Sequence, residues 1–231
     1  MNKSTIEKMI RERYLLPLGV WFVLYMALFL CLELYEPESV HLIACGLDRR
    51  IPCIQAFVYP YLSWFPYICV CAWLAFRNLG REEYRRAVFL LTAGMNVFLL
   101  ISCVWPTGLD LREGIVYNMA VPSGYLLRLV QTVDAPRSVF PSMHVYVTLV
   151  FQYTLEMQQS GRLPVRGLRA GRFLAAAIIL STVFTRQHSV LDVLGAFLLF
   201  GVLAAGRLCR RFCVRIRAGA AASGAGKRVK L

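Results

Sequence analysis

A chain of 231 residues that is 58% hydrophobic and 17% charged is more apolar than a soluble domain, which sits near ~45–50% apolar, and the excess implies membrane spans. A net charge of +13 would suit nucleic acid, but the placement of the charges along the chain excludes that reading.

The first 14 residues are charged and read as a cytoplasmic segment. Residues 15–35 follow as an apolar run of the ~20 residues that cross a hydrocarbon core. The run is too long for the h-region of a cleaved signal peptide and lacks a small-residue cleavage site, so it is expected to stay as a signal anchor. Further apolar runs follow at 57–76, 87–106, 143–157, 173–184 (extended by the polar residues after it) and 190–208. The predicted fold is an all-α integral membrane protein, a six-transmembrane-helix bundle occupying residues 15–217. Its last three helices form the core around the site, and the 107–142 connection covers it. Within that connection residues 115–133 are partly amphipathic and interrupted at Pro122–Gly124. Residues 218–231 are Gly/Ala-rich and then basic, and are expected to be a disordered cytoplasmic tail.

Of the 26 lysines and arginines, 20 fall at the two termini and in the second and fourth connections, leaving six on the opposite side. The positive-inside rule then puts both termini in the cytoplasm. The basic surface is a topology signal and an anionic-lipid contact. Five of the eight cysteines lie in or at the ends of apolar runs, as small hydrophobes. Cys69 and Cys71 lack zinc or redox spacing, whereas Cys45 and Cys53 share an outer loop where a disulfide is geometrically conceivable.

All three histidines, His41, His144 and His188, fall on the outward side. Arg186, His188 and Asp192 are set into the stretch FTRQHSVLDVLGAFLLF, where ionisable groups cost at least ~2.5 kcal/mol at a span centre and mark function. His188 and Asp192 are four apart. On one helical face, the carboxylate would fix the imidazole tautomer and leave the other nitrogen for a substrate. In FPSMHV, Pro141 suits the first turn of a helix whose N-terminus binds phosphate, with the Ser142 hydroxyl beside it and His144 placed to deliver a proton. Arg186 and Arg112, both outward, offer bidentate forks for phosphate oxygens.

At these residues the chain resembles the type 2 phosphatidic acid phosphatase (PAP2) superfamily, and looks most like its inositol phosphorylceramide synthase-like bacterial branch. LDLRE (109–113), FPSMH (140–144) and TRQHSVLD (185–192) match the three motifs of that family, and Asp134 fits the approach to the second. The resemblance implies a PAP2/haloperoxidase-like helical bundle and a phosphohistidine mechanism. His188 would be the nucleophile, Asp192 the holder of its ring and His144 the acid. Ser142, Arg186 and Arg112 would bind phosphate. The substrate would be a lipid phosphate or prenyl pyrophosphate, with an alcohol acceptor if the reaction is transfer. No metal or cofactor is expected, since no carboxylate cluster is present to bind one. Three departures favour the synthase-like branch: Met143 replaces a glycine, Glu113 replaces a proline and Thr182 replaces an arginine. The expected site faces the extracytoplasmic side of a bacterial plasma membrane. A transporter would carry broken helices or inverted repeats, and none is apparent; a non-catalytic scaffold has no missing motif residue to recommend it.

Overall fold

A computed structural model describes residues 3–35, 37, 39–157 and 163–206, and of residues 3–14 the backbone alone. The tail expected at 218–231 lies outside the described residues. Helix α1 (Lys3–Leu34) begins in the charged segment and continues through the first apolar run. The second run opens with a 3-10 turn at Gln55–Phe57, continues as α2 (Val58–Leu62) and, after Ser63, as α3 (Trp64–Asn78). Ser63 Oγ donates to the Pro60 carbonyl at 2.7 Å at that joint. Helix α4 (Arg81–Val104) starts where Gly80 N–H donates to the Glu83 carboxylate at 2.8 Å. Glu82 and Glu83 place negative charge at its positive dipole end.

Helix α5 (Pro122–Val133) lies in the long connection. The predicted interruption at Pro122–Gly124 is instead the helix start, because proline is tolerated at a first turn that lacks intrahelical N–H partners. Helix α6 spans Met143–Glu156, close to the expected run. Helix α7 (Val165–Phe184) begins earlier than the apolar pattern suggested, since Pro164 opens it and Arg166, Arg169 and Arg172 lie within its first turns. Helix α8 covers Val190–Gly206.

Among the described residues four helices are long and apolar enough to cross a bilayer: Leu15–Leu34, Gln55–Asn78, Arg81–Val104 and Val165–Phe184. Helices α6 and α8 are apolar but shorter. Large apolar side chains stand exposed along the long helices, among them Leu16, Trp73, Leu100 and Phe173. Such a surface is costly in water and at rest in lipid. The chain is an all-α, multi-pass integral membrane protein.

Helix α6 lies at the centre and packs on α3, α4 and α7. Its Tyr146 is fully buried, and the hydroxyl donates to the Leu90 carbonyl at 2.5 Å. The tyrosine ring lies where Gly94 has no side chain; a Cβ there would come within 2.0 Å of Tyr146 Cζ. Gly94→Val is therefore expected to lower the thermal unfolding midpoint in detergent, at a cost of about 3 kcal/mol from overpacking. An unchanged midpoint would contradict this close approach of α4 to α6.

At the site end, backbone hydrogen bonds lace two connections into a small plate. Strand β1 (His41–Leu42) runs parallel to β2 (Thr107–Gly108), and Gly108 bridges to Arg137. Ser138 N–H donates to the Thr107 carbonyl at 2.8 Å, and Phe140 N–H to Thr107 Oγ1 at 3.2 Å. This plate carries the chain directly into Ser142.

Candidate active site

The turn between α7 and α8 is closed by main-chain hydrogen bonds. Gln187 N–H and His188 N–H both donate to the Thr182 carbonyl, at 3.0 Å each. Thr182, at the position where the family pattern has an arginine, thus serves through its backbone. His188 does not lie on the α8 helix as expected. The helix begins two residues later, because its first amides are taken by side chains rather than by an extra preceding turn. Ser189 N–H donates to Asp192 Oδ2 at 2.8 Å, Val190 N–H to Asp48 Oδ1 at 2.8 Å and Leu191 N–H to Ser189 Oγ at 3.1 Å. The turn still brings His188 Nδ1 to 3.4 Å from Asp192 Oδ2. Asp192 is fully buried, and its Oδ1 has no partner among the described residues.

His144, the second residue of α6, faces this pair, its ring centroid 5.8 Å from that of His188. Tyr61 and Trp64 flank it, at ring separations of 4.9 and 4.4 Å. The Tyr61 hydroxyl donates to Asp134 Oδ2 at 2.8 Å, so the residue on the approach to the second motif anchors one wall of the histidine. Ser142 is the N-cap of α6, and Pro141 precedes the helix instead of occupying its first turn. The Ser142 side chain accepts from Val145 N–H at 3.4 Å and is fully buried, while its own N–H donates to the Asp192 carbonyl at 3.1 Å. That last bond ties the second motif to the third.

The two arginines approach from the covering connection and from the turn. Arg112 Nη1 donates to the Gln131 and Asp134 carbonyls at 3.0 and 2.7 Å, and its Nη2 donates to Gln187 Oε1. Burial lowers the Arg112 pKa, opposed by the Asp134 carboxylate; a guanidinium nevertheless stays charged. Arg186 has a left-handed backbone, φ 52°, which a non-glycine residue adopts at a cost of about 1 kcal/mol or more. Its Nη1 donates to the Leu111 carbonyl at 2.8 Å. Arg112 Nε, Arg186 Nε and Gln187 Nε2 are all buried donors without a partner among the described residues. Buried donors are normally satisfied, and three unspent ones on the residues about the His188 turn are suited to an anion.

Two residues of this arrangement were not singled out from sequence. Gln187 is 2% exposed and holds Arg112; a buried amide beside a span-embedded histidine was its only signal. Asp48 is 3% exposed and reaches from a 3-10 turn to accept from Val190 N–H, from Ser189 Oγ at 2.7 Å and from Cys45 N–H at 2.7 Å. Burial alone would raise its pKa, but these hydrogen bonds prevail and hold the carboxyl below its ordinary value. Cys45 and Cys53 are both free thiols. Burial pushes the Cys53 thiol pKa up against the opposing charge of Arg186.

Beside the plate, a cavity of about 270 Å³ opens between the ends of α1 and α4, lined by Leu32, Tyr35, Val40, Ser102, Thr107 and Ser138 among others. Among the described residues no group of three or more His, Cys, Asp or Glu side chains is placed to hold a metal ion.

No curated protein matches the chain. The PAP2 superfamily signature matches residues 48–206, well over half of the sequence, from the carboxylate of Asp48 to the end of α8. By that match, and with two histidines, an aspartate and unpartnered donors gathered at one end of a membrane bundle, the chain belongs to the PAP2 superfamily.

Proposed function

We propose that this protein is a membrane lipid phosphatase or phosphotransferase that works through a phosphohistidine on His188. The observation that carries the reading is the meeting of His188, Asp192 and His144 beside three unpartnered guanidinium and amide donors. A phosphate ester or pyrophosphate enters with its oxygens toward Arg112, Arg186 and Gln187, near the N-terminus of α6 that Ser142 caps. Phosphoryl transfer asks chiefly for such positioning and charge stabilisation.

Asp192 holds the His188 ring by its Nδ1 side, so the other nitrogen attacks phosphorus as the P–O bond to the leaving alcohol breaks. His144 gives its proton to that departing oxygen. Water, or an alcohol acceptor, then attacks the phosphohistidine, returns a proton to His144 and breaks the P–N bond. The chemistry needs no metal ion. The amphiphile is a lipid phosphate or prenyl pyrophosphate, and the motif departures at Met143, Glu113 and Thr182 favour the synthase-like branch of the family.

In the same proposal α6 and α8 complete six spans, with residues 15–217 as one membrane domain between a cytoplasmic segment and a cytoplasmic tail. Both termini then face the cytoplasm of a bacterial plasma membrane, and the site faces outward. Purified protein in excess chelator is expected to release phosphate from phosphatidate or a prenyl pyrophosphate, and an acid-labile phosphoenzyme should accumulate on rapid quench. Absence of both, across a panel of such lipids with and without alcohol acceptors, rejects the reading.

A further inference from the structure

Helix α5 carries an apolar ridge that nothing in the described structure covers. Val121, just before it, and Tyr125, Leu129 and Val133 recur at every fourth residue, and they are 39%, 57%, 47% and 79% exposed. Residues four apart share a helix face, so the four side chains form a continuous line. The opposite face is spent on the protein. Leu127 is fully buried, and Gly124 packs so closely that a Cβ would meet the Asn118 carbonyl oxygen at 2.0 Å. Val116 and Met119, in the segment leading into the helix, are also exposed. Exposed Arg128 and Thr132 run along one edge of the ridge.

We propose that α5 lies in the plane of the membrane surface at the site end, with this ridge sunk among lipid head groups and upper acyl chains. Two features select the bilayer as the occupant. The helix sits in the connection between the end of α4 and the start of α6, at the level where spanning helices leave the lipid. An amphipathic helix with an apolar line and a cation on its rim also has the composition of an interfacial anchor, with the arginine reaching lipid phosphates.

The protein-facing side of α5 reaches the candidate site. Gln131 Nε2 donates to the Thr185 carbonyl at 2.7 Å, in the turn that carries His188. The Gln131 and Asp134 carbonyls, at the end of the same helix, hold Arg112. Docking of α5 on the lipid surface therefore fixes the depth of the Arg112 guanidinium relative to the head groups, where a lipid phosphate presents itself. That last step rests on the proposed function; the position of α5 does not.

The full chain with Leu129→Trp, in phosphatidylcholine–phosphatidylglycerol vesicles, tests the position. Relative to the parent, the added emission should be quenched about twofold by lipids brominated high on the acyl chain and left unchanged by aqueous iodide. Quenching by iodide, or shielding from both quenchers as a protein partner would give, overturns the proposal. The double variant Leu129→Glu, Val133→Glu tests the consequence. Turnover of vesicle-borne phosphatidate should fall about tenfold while hydrolysis of a water-soluble aryl phosphate stays within about twofold. Equal loss on both substrates points to a damaged site and removes the membrane role. If the parent hydrolyses neither substrate, the enzymatic reading fails while the tryptophan measurement still decides where α5 lies.

Discussion

On the phosphohistidine route we propose, His188→Ala is expected to reduce phosphate release from lipid substrates by about 10⁴-fold or more, because that route cannot proceed without its nucleophile. The side chain is buried, at 8% exposure, but it stands in the turn before α8 and outside the spanning helices, so its removal should leave the spans intact. Melting in detergent should stay within a few degrees of the parent while the trapped phosphoenzyme disappears. His144→Ala should behave differently. On the same route it removes the proton for the leaving alcohol, so substrates with good leaving groups, such as aryl phosphates, should retain more activity than alkyl ones. A His188→Ala protein that still turned over lipid phosphate would place the nucleophile elsewhere.

The second large effect is expected at Asp48, more than a hundred residues away in sequence from the turn it holds. Asp48→Ala strands the Val190 and Cys45 amides and the Ser189 hydroxyl in a buried setting. Each lost partner costs about 1–3 kcal/mol. His188 stands one residue before Ser189, and a displacement of about 1 Å there is worth roughly 10²-fold in rate. Asp48→Asn is the sharper variant. One carboxylate oxygen takes the Val190 N–H and the other takes Cys45 N–H, so an amide nitrogen at either position faces a donor. It should lose activity nearly as far as alanine does, with kcat falling more than KM rises. The pH dependence follows from the depressed Asp48 pKa. The stability it contributes is fully present above the unfolded-state value near ~3.9 and is lost as pH falls through the lower folded-state value. Asp48→Asn should therefore flatten the acid limb of the stability curve. Wild-type activity in that variant would show that the turn is held by other means.

The helices were legible where lipid alone decides the residue type. The apolar run at 143–157 and helix α6 agree closely, since an apolar segment in a bilayer has no structure to adopt other than a helix that satisfies its own backbone. The start of α7 was not legible, because Arg166, Arg169 and Arg172 broke the apolar pattern without breaking the helix. The PSxH and HxxxD residues were visible as polar groups in the wrong solvent, and His144, His188 and Asp192 do come together. The placement of His188 before α8 was not visible. It depends on Asp48 capping that helix from a distant loop, and no local spacing records such a bond. Arg112 and Arg186 were visible as arginines near the motif histidines, yet their backbone-carbonyl partners at Gln131, Asp134 and Leu111 follow from tertiary packing alone.

The plate of strand pairing and main-chain bonds that joins residues 41–42, 107–108 and 137–140 has a mechanical consequence. Chain segments arriving from separate spans are riveted together at the polar rim, whereas α1 leans on α4 lower down through side-chain contacts such as Trp21 to Asn96. The rim is then the stiff hoop around the bundle of helices, and any parting of α1 from α4 would have to occur below it.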